Sequence, residues 1–180
     1  MPSLTIRAAT DADVDALVAL AEETFPLACP PSSKPESIAA FIAEHLSAQR
    51  FVDYLGDADR AVLVAVDADE TLLGWAMLVA GEPSDADVAA AVTARPTIEL
   101  SKFYTRRATH GAGVSGPLMQ AVVDVAAATG AETAWLGVNE ENARAIRFYE
   151  KHGFVRVGTK RFRLGERLEH DFVLERPLRG

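Results

Sequence analysis

The stretch from Thr97 to Val138 narrows the choice of folds more than any other part of the chain. TIELSKFYT (97–105) reads as a strand from its apolar, aromatic and β-branched content. It runs into RRATHGAGVSG, where Gly111, Gly113 and Gly116 fall within six residues. A helix then extends to about Thr129, with Val114, Leu118, Val122, Val125 and Ala126 on one face and Gly130 as its stop. TAWLGV (133–138) follows as a buried strand. Glycines between a strand and a helix let the backbone approach a ligand closely. The first-turn N–H groups and the positive dipole end then attract an anion, most often phosphate. Pro117 fits that first turn, where a missing donor costs nothing. Read alone, the loop is either a phosphate cradle or a tight packing turn. It lacks the Gly-Lys-Ser/Thr of a P-loop, and the next strand lacks the acidic end that a dinucleotide fold uses on ribose.

The flanking segments define the rest of the fold. LTIRAA (4–9) alternates like a short strand, and Thr10 or Asp11 opens a helix to about Glu23. Phe25 to Pro35 reads as a proline-rich loop, and residues 35–49 as a helix that begins with proline. AVLVAVD (61–67) and TLLGWAMLVA (71–80) form a hairpin. Gly81 to Arg95 is a loop with a helical turn near 86–92. Residues 140–152 form a helix capped by Gly153, GFVRVGTKRF leads into a strand, and LEHDFVLERPL (168–178) is the last strand. Together these predict one α+β domain over residues 1–180, with helices around a mixed sheet of about six to seven strands.

Composition excludes several classes. No apolar run reaches the roughly 20 residues of a membrane span, the N-terminus lacks a signal-peptide pattern, and the single Cys29 fits a cytoplasmic protein. Cys29 reads as a small buried hydrophobe or a reactive thiol. A sequence pI near 5.0 argues against nucleic acid as a partner. Charge is uneven. Residues 1–100 hold 5 basic and 17 acidic residues, whereas residues 101–180 hold 13 and 9. That division suits an anion at the C-terminal half and a cation at the N-terminal half. The four histidines show no metal-ligand spacing.

The order strand, HGAGVS loop, helix, strand, then NEENARAIRFYEKHGF resembles the GNAT superfamily of acyl-CoA N-acyltransferases. The family's loop reads Gln/Arg-x-x-Gly-x-Gly/Ala, matched here at His110, Gly113 and Ser115. His110 departs from Gln or Arg, and Ser115 from Gly or Ala. The second signature is matched in full by Asn142, Ala145, Tyr149 and Gly153-Phe154. The nearest look is to the polyamine (spermidine/spermine) acetyltransferase branch, which shares WLGV…N…AIRFYEKHGF…DF. The resemblance implies acceptor-side elements in 1–96, an acetyl-CoA-binding core in 97–160 and a terminal hairpin in 154–178. It implies acetyl-CoA as donor, held by Phe103, Tyr104 and Thr105, by loop residues His110, Gly111, Ala112, Gly113, Val114, Ser115 and Gly116, and by Asn142, Tyr149 and Lys151. Arg106, Arg107, Arg144 and Arg147 lie near the expected phosphates, as phosphate partners or as solvated charges. Asn142 has a helix cap as its other reading.

Acyl transfer to an amine needs a neutral amine, a polarised carbonyl and a protonated leaving thiolate. The resemblance gives the acid role to Tyr149, whose phenol stays protonated at neutral pH; an aromatic anchor for its helix is the other reading. Glu99 is costly to bury in an apolar strand without purpose, so it is the expected base, or else an ion-pair partner of Lys102. Backbone N–H groups near Tyr104 are expected to polarise the carbonyl. The acceptor is expected to be a polyamine or another cationic small molecule, with Glu22, Glu23, Phe25, Trp75 and Glu99 against it and the 24–33 loop as a wall. Trp75 and Trp135 read as core before binding platforms, with Trp75 the one that could line the acceptor cleft, and His170 and Asp171 read as final-strand residues rather than a catalytic pair. The other readings are a non-catalytic acetyl-CoA sensor and an acetyltransferase acting on protein N-termini or lysines. The fold type also implies a homodimer through sheet edges or terminal hairpins.

Overall fold

The computed structural model describes residues 3–111 and 113–178. Seven strands form one sheet: β1 (Thr5–Ala8), β2 (Arg60–Val66), β3 (Leu72–Ala80), β4 (Thr97–Thr105), β5 (Thr133–Asn139), β6 (Val155–Leu164) and β7 (Arg167–Pro177). Six helices accompany them: α1 (Val14–Ala28), α2 (Pro35–His45), α3 (Ala48–Gly56), α4 (Ala86–Ala91), α5 (Ser115–Ala128) and α6 (Ala143–Lys151). The strand order is β1-β2-β3-β4-β5-β7-β6. All neighbours are antiparallel except β4 and β5. This is the expected mixed sheet of an α+β domain.

Helices cover both faces. On one, Leu118, Met119, Val122 and Ala126 of α5 pack on Leu78, Ile98, Leu100 and Leu136. On the other, Leu17, Leu20 and Phe25 of α1, with Leu46 and Phe51, pack on Val64, Trp75 and Met77. Leu17, Leu20, Leu46, Phe51, Val64, Val66 and Trp75 of that second core are fully buried, and burying a side chain of this kind is worth roughly 1.5–3 kcal/mol.

Two element boundaries depart from the periodicity. Helix α1 continues past Glu23 to Ala28 and carries Pro26 in its last turn. Phe25 stacks on Phe41 with centroids 4.5 Å apart, and that packing holds the turn that proline alone would open. The segment expected as one helix over 35–49 is two. Helix α2 stops at His45, and Ser47 starts α3 by accepting a hydrogen bond from the Arg50 N–H. A serine within an apolar rhythm is a cap when the following turn folds back. Residues 24–28 are thus helix rather than loop, and Phe25 reaches the cleft from a rigid element.

The site arises from the parallel pair. β4 and β5 are in register only over Thr97–Glu99 and Thr133–Trp135. Beyond Glu99 they part, leaving a cleft between Leu100–Tyr104 and Gly137–Asn139.

Candidate active site

Two cavities meet at the splayed end of β4. The first, about 210 Å³, lies between β4, β5, the terminal hairpin and the end of α1. The second, about 160 Å³, runs from Thr105 and His110 to Ser115 and α6. Phe103, Tyr104, Asn142, Ala145 and Tyr149 border both. A ligand lying along one therefore ends at the other, with Tyr149 at the junction.

A register shift opposite Met77 and Leu78 leaves Ser101 without a cross-strand partner. Strict alternation would send Glu99 and Lys102 to opposite faces. The bulge puts both on the side where Tyr104 packs, while Ile98, Leu100 and Phe103 face the α5 core. Both line the first cavity. Burial raises the Glu99 carboxyl above the usual carboxylate range, against the pull of Lys102, Lys160 and Arg60. Burial lowers Lys102, against the pull of Glu99. The two form no ion pair among the described residues. Lys102 donates instead to the Ser101 carbonyl and hydroxyl, at 3.3 and 3.2 Å.

Tyr149 is held edge-on by Phe103, Phe148 and Phe154 at 5.7–6.3 Å. Burial pushes its phenol well above the ordinary value, so it stays protonated across the working pH range. Tyr104 is raised in the same way, first by burial and then by Tyr149. Neither hydroxyl has a hydrogen-bond partner among the described residues, so both are available to a ligand. Asn142 caps α6, its Oδ1 accepting from the Ala145 N–H at 3.2 Å, and also faces both cavities. The two readings of Asn142 are therefore compatible.

In the glycine loop, Gly111 and Gly113 hold φ values of 83° and 81°. A Cβ on Gly111, Gly113 or Gly116 would meet nothing within 4 Å. The loop face is open, and α5 starts without a side-chain cap, so its first N–H groups remain for an anion. Ser115 Oγ lies 3.5 Å from Thr105 Oγ1, which ties the loop to the end of β4. The His110 ring sits between the Thr105 carbonyl and Arg144. Burial and the charges of Arg144 and Arg107 lower its pKa, which favours the uncharged ring. Changing Gly113 to alanine is expected to cost about 1–2 kcal/mol through left-handed strain alone, since no clash adds to it. A thermal melt measures that loss, and a weaker stabilising shift by CoA reports the damaged loop.

The remaining expected residues scatter. Phe25 lines the first cavity. Glu22 and Glu23 do not, and Glu23 pairs with Arg106 at 2.9 Å. Trp75 is fully buried against Phe51 and Tyr104 and is core, not a wall of the cleft. Trp135 is core as well. Val114 is buried under the loop, Lys151 is exposed on α6 and borders neither cavity, and Ala112 lies outside the described residues. The sequence reading missed Lys160, Phe162, Glu169 and Asp171 of the terminal hairpin, all of which line the first cavity. Alternation in LEHDFVLE was the available signal, since it sets acidic residues 169, 171 and 175 on one face.

Among the described residues, no helix is long and apolar enough to cross a membrane, and no group of three His, Cys, Asp or Glu side chains is arranged to hold a metal ion. A sequence profile described as the acetyltransferase (GNAT) family matches residues 15–154. An uncharacterized N-acetyltransferase of Mycobacterium tuberculosis is 46% identical over 166 residues, covering 92% of this chain and 98% of that protein. The PaiA N-acetyltransferase of Thermoplasma acidophilum, solved in complex with coenzyme A, superposes with a TM-score of 0.75 at 22% identity over 97% and 99% of the two chains. The spermidine/spermine N-acetyltransferase SpeG of Vibrio cholerae superposes with a TM-score of 0.65 at 18% identity over 97% and 92%. With the cleft, the glycine loop and these relatives in agreement, the chain belongs to the GNAT family of N-acetyltransferases.

Proposed function

We propose that the protein transfers the acetyl group of acetyl-CoA directly to a primary amine within a ternary complex. The observation that carries this reading is Tyr149, a phenol held protonated by burial, with no hydrogen-bond partner among the described residues, at the junction of the two cavities. The second cavity and glycine loop take the CoA arm and pyrophosphate, with His110, Ser115 and Asn142 along it; the first cavity takes the amine. This assigns the cofactor side to residues 97–160 and the acceptor side to the early helices together with the terminal hairpin. The Glu99 carboxylate accepts the proton of the attacking ammonium, directly or through water. The amine nitrogen then bonds to the thioester carbon, backbone N–H groups near Tyr104 stabilise the oxyanion, and the C–S bond breaks. Tyr149 gives its proton to the departing thiolate, and the second proton that the amine nitrogen loses as the amide forms returns to the phenol through water. The acceptor is a small amine, and a polyamine suits a lining in which the carboxylates Glu99, Glu169 and Asp171 outnumber Lys102 and Lys160. For a homodimer, the surface we propose is the outer edge of β6, which ends the sheet among the described residues.

Cys29 supports direct attack. It is the only thiol of the chain and lines the amine cavity, but burial pushes it up to about 11, with Glu169 adding to the rise. It is a poor nucleophile at neutral pH. Initial velocities at varied acetyl-CoA and amine are expected to give intersecting lines. Parallel lines with an acetyl adduct on Cys29 would overturn the ternary-complex route.

A further inference from the structure

Tyr104 carries a hydroxyl that the fold itself leaves unused. Beyond the bulge at Ser101 the β4 side chains alternate again, so Phe103 turns to the α5 core and Tyr104 to the α1 side. Its ring is wedged between Trp75, the cross-strand neighbour on β3, at 5.8 Å and Phe25 of α1 at 6.4 Å. Those contacts fix where the hydroxyl lies. It has no hydrogen-bond partner among the described residues, yet, unlike the Trp75 Nε1, it is not sealed from solvent. A polar group in so enclosed a place normally has a partner, and here a ligand can supply it.

The neighbours of the hydroxyl show which ligand it meets. After burial, the phenol responds to Tyr149 of α6, to Cys29 at the end of α1 and to Asp171 of β7. Cys29 and Asp171 line the first cavity and not the second, and Tyr149 stands at the junction. The hydroxyl therefore reaches across the gap where β4 and β5 part, into the amine cavity and toward Tyr149, rather than along the CoA arm. A neutral phenol has one proton to donate and lone pairs to accept with. An amine attacking through its lone pair still holds two N–H bonds, and one of them is given up as the amide forms.

We propose that Tyr104 is a second catalytic tyrosine, whose oxygen accepts an N–H of the attacking nitrogen and whose own proton goes, through water, to Tyr149. This rests on the reading of Tyr149 as the acid of an amine acetyltransferase. Before attack, the hydrogen bond aims the nitrogen lone pair at the thioester carbon. Once the C–N bond has formed and Tyr149 has protonated the thiolate, the nitrogen is left with a positive charge and two protons. One passes to the Tyr104 oxygen as the Tyr104 O–H proton leaves for the water and a proton of that water goes to the Tyr149 phenolate. Both tyrosines end as neutral phenols, and the product is a neutral amide.

Tyr104→Phe tests this, because the ring contacts with Trp75 and Phe25 survive and no partner is orphaned; an unchanged thermal melt is the folding check. With spermidine and with butylamine as acceptors, kcat/KM for the amine is expected to fall about 10- to 100-fold, as loss of a charged hydrogen bond provides, while KM for acetyl-CoA changes little. In the double variant with Tyr149→Phe, the two losses are expected to fall well short of multiplying, because both groups serve one proton path. Calorimetry of the same amines on the CoA-loaded full chain reads the hydrogen bond without turnover, and Tyr104→Phe is expected to weaken binding by about 10-fold. An amine kcat/KM unchanged in Tyr104→Phe, a loss confined to KM for acetyl-CoA, or losses that multiply in the double variant would overturn the proposal. Equal amine affinity of wild type and Tyr104→Phe would overturn the contact itself. Wild type that releases no thiol with either amine would instead sink the acetyltransferase reading, and the Tyr104 contact would then stand or fall on the calorimetry.

Discussion

Tyr149→Phe is expected to lower kcat by about 100-fold or more, the usual worth of a positioned general acid, with a much smaller change in KM for acetyl-CoA. The ring contacts with Phe103, Phe148 and Phe154 survive the change, so the helix stays packed and only the hydroxyl is lost. That hydroxyl has no partner among the described residues, so its removal leaves no buried group unsatisfied and the melting temperature is expected to hold. A fall in kcat and kcat/KM together marks an interaction made in the transition state. Equal losses in stability and in acetyl-CoA affinity, with kcat preserved, would instead make Tyr149 a packing residue. Because burial holds the phenol above its ordinary value, no alkaline fall in rate should come from Tyr149 near neutral pH.

Glu99→Gln is expected to lower kcat/KM for the amine by about 100-fold or more near neutral pH, and to raise thermal stability there. The two effects have one cause. Burial lifts the Glu99 carboxyl above the usual carboxylate range, so its proton acceptor strength is increased and its charged form is disfavoured in the folded state. Below the ordinary carboxylate range Glu99 is protonated in both folded and unfolded chains, and it contributes no penalty. As pH rises through the raised folded value, the folded chain must ionise a buried group and stability is lost. The stabilising effect of Glu99→Gln should therefore appear above that window and vanish below it. In the wild type, kcat/KM should fall on the acid side as Glu99 is protonated, and that limb should be absent from the residual activity of Glu99→Gln. An unchanged acid limb in the variant would remove Glu99 from the base role.

The strand–glycine loop–helix–strand unit was legible because each part has its own local cause. Extended residues 97–105, the left-handed Gly111 and Gly113, and the α5 periodicity all appear where the pattern puts them. Tyr149 and Asn142 came from a spaced signature, and both border the cleft. What stayed hidden depends on contacts distant in sequence. Phe25 lies in a helix because Phe41, sixteen residues on, stacks against it. The bulge at Ser101, which sets Glu99 and Lys102 on one face, exists only in the pairing with β3. The charge pattern puts the acceptor against the acidic early helices, yet Glu22 is exposed and Glu23 pairs with Arg106 outside the first cavity. Besides Glu99 of β4, the carboxylates that line the cavity come from β7, which reaches it by pairing with β5 across the opened end of the sheet. Total charge by segment identifies surface sign, whereas a pocket's charge is set by the few side chains that topology turns inward.

Release of free CoA thiol from acetyl-CoA, followed with and without each of a panel of small amines, tests the central claim most directly. Release that requires an amine, yields the acetylated amine and falls sharply in Tyr149→Phe is the predicted result. Binding of acetyl-CoA with no amine-dependent release, or equal release by wild type and Tyr149→Phe, would contradict the account.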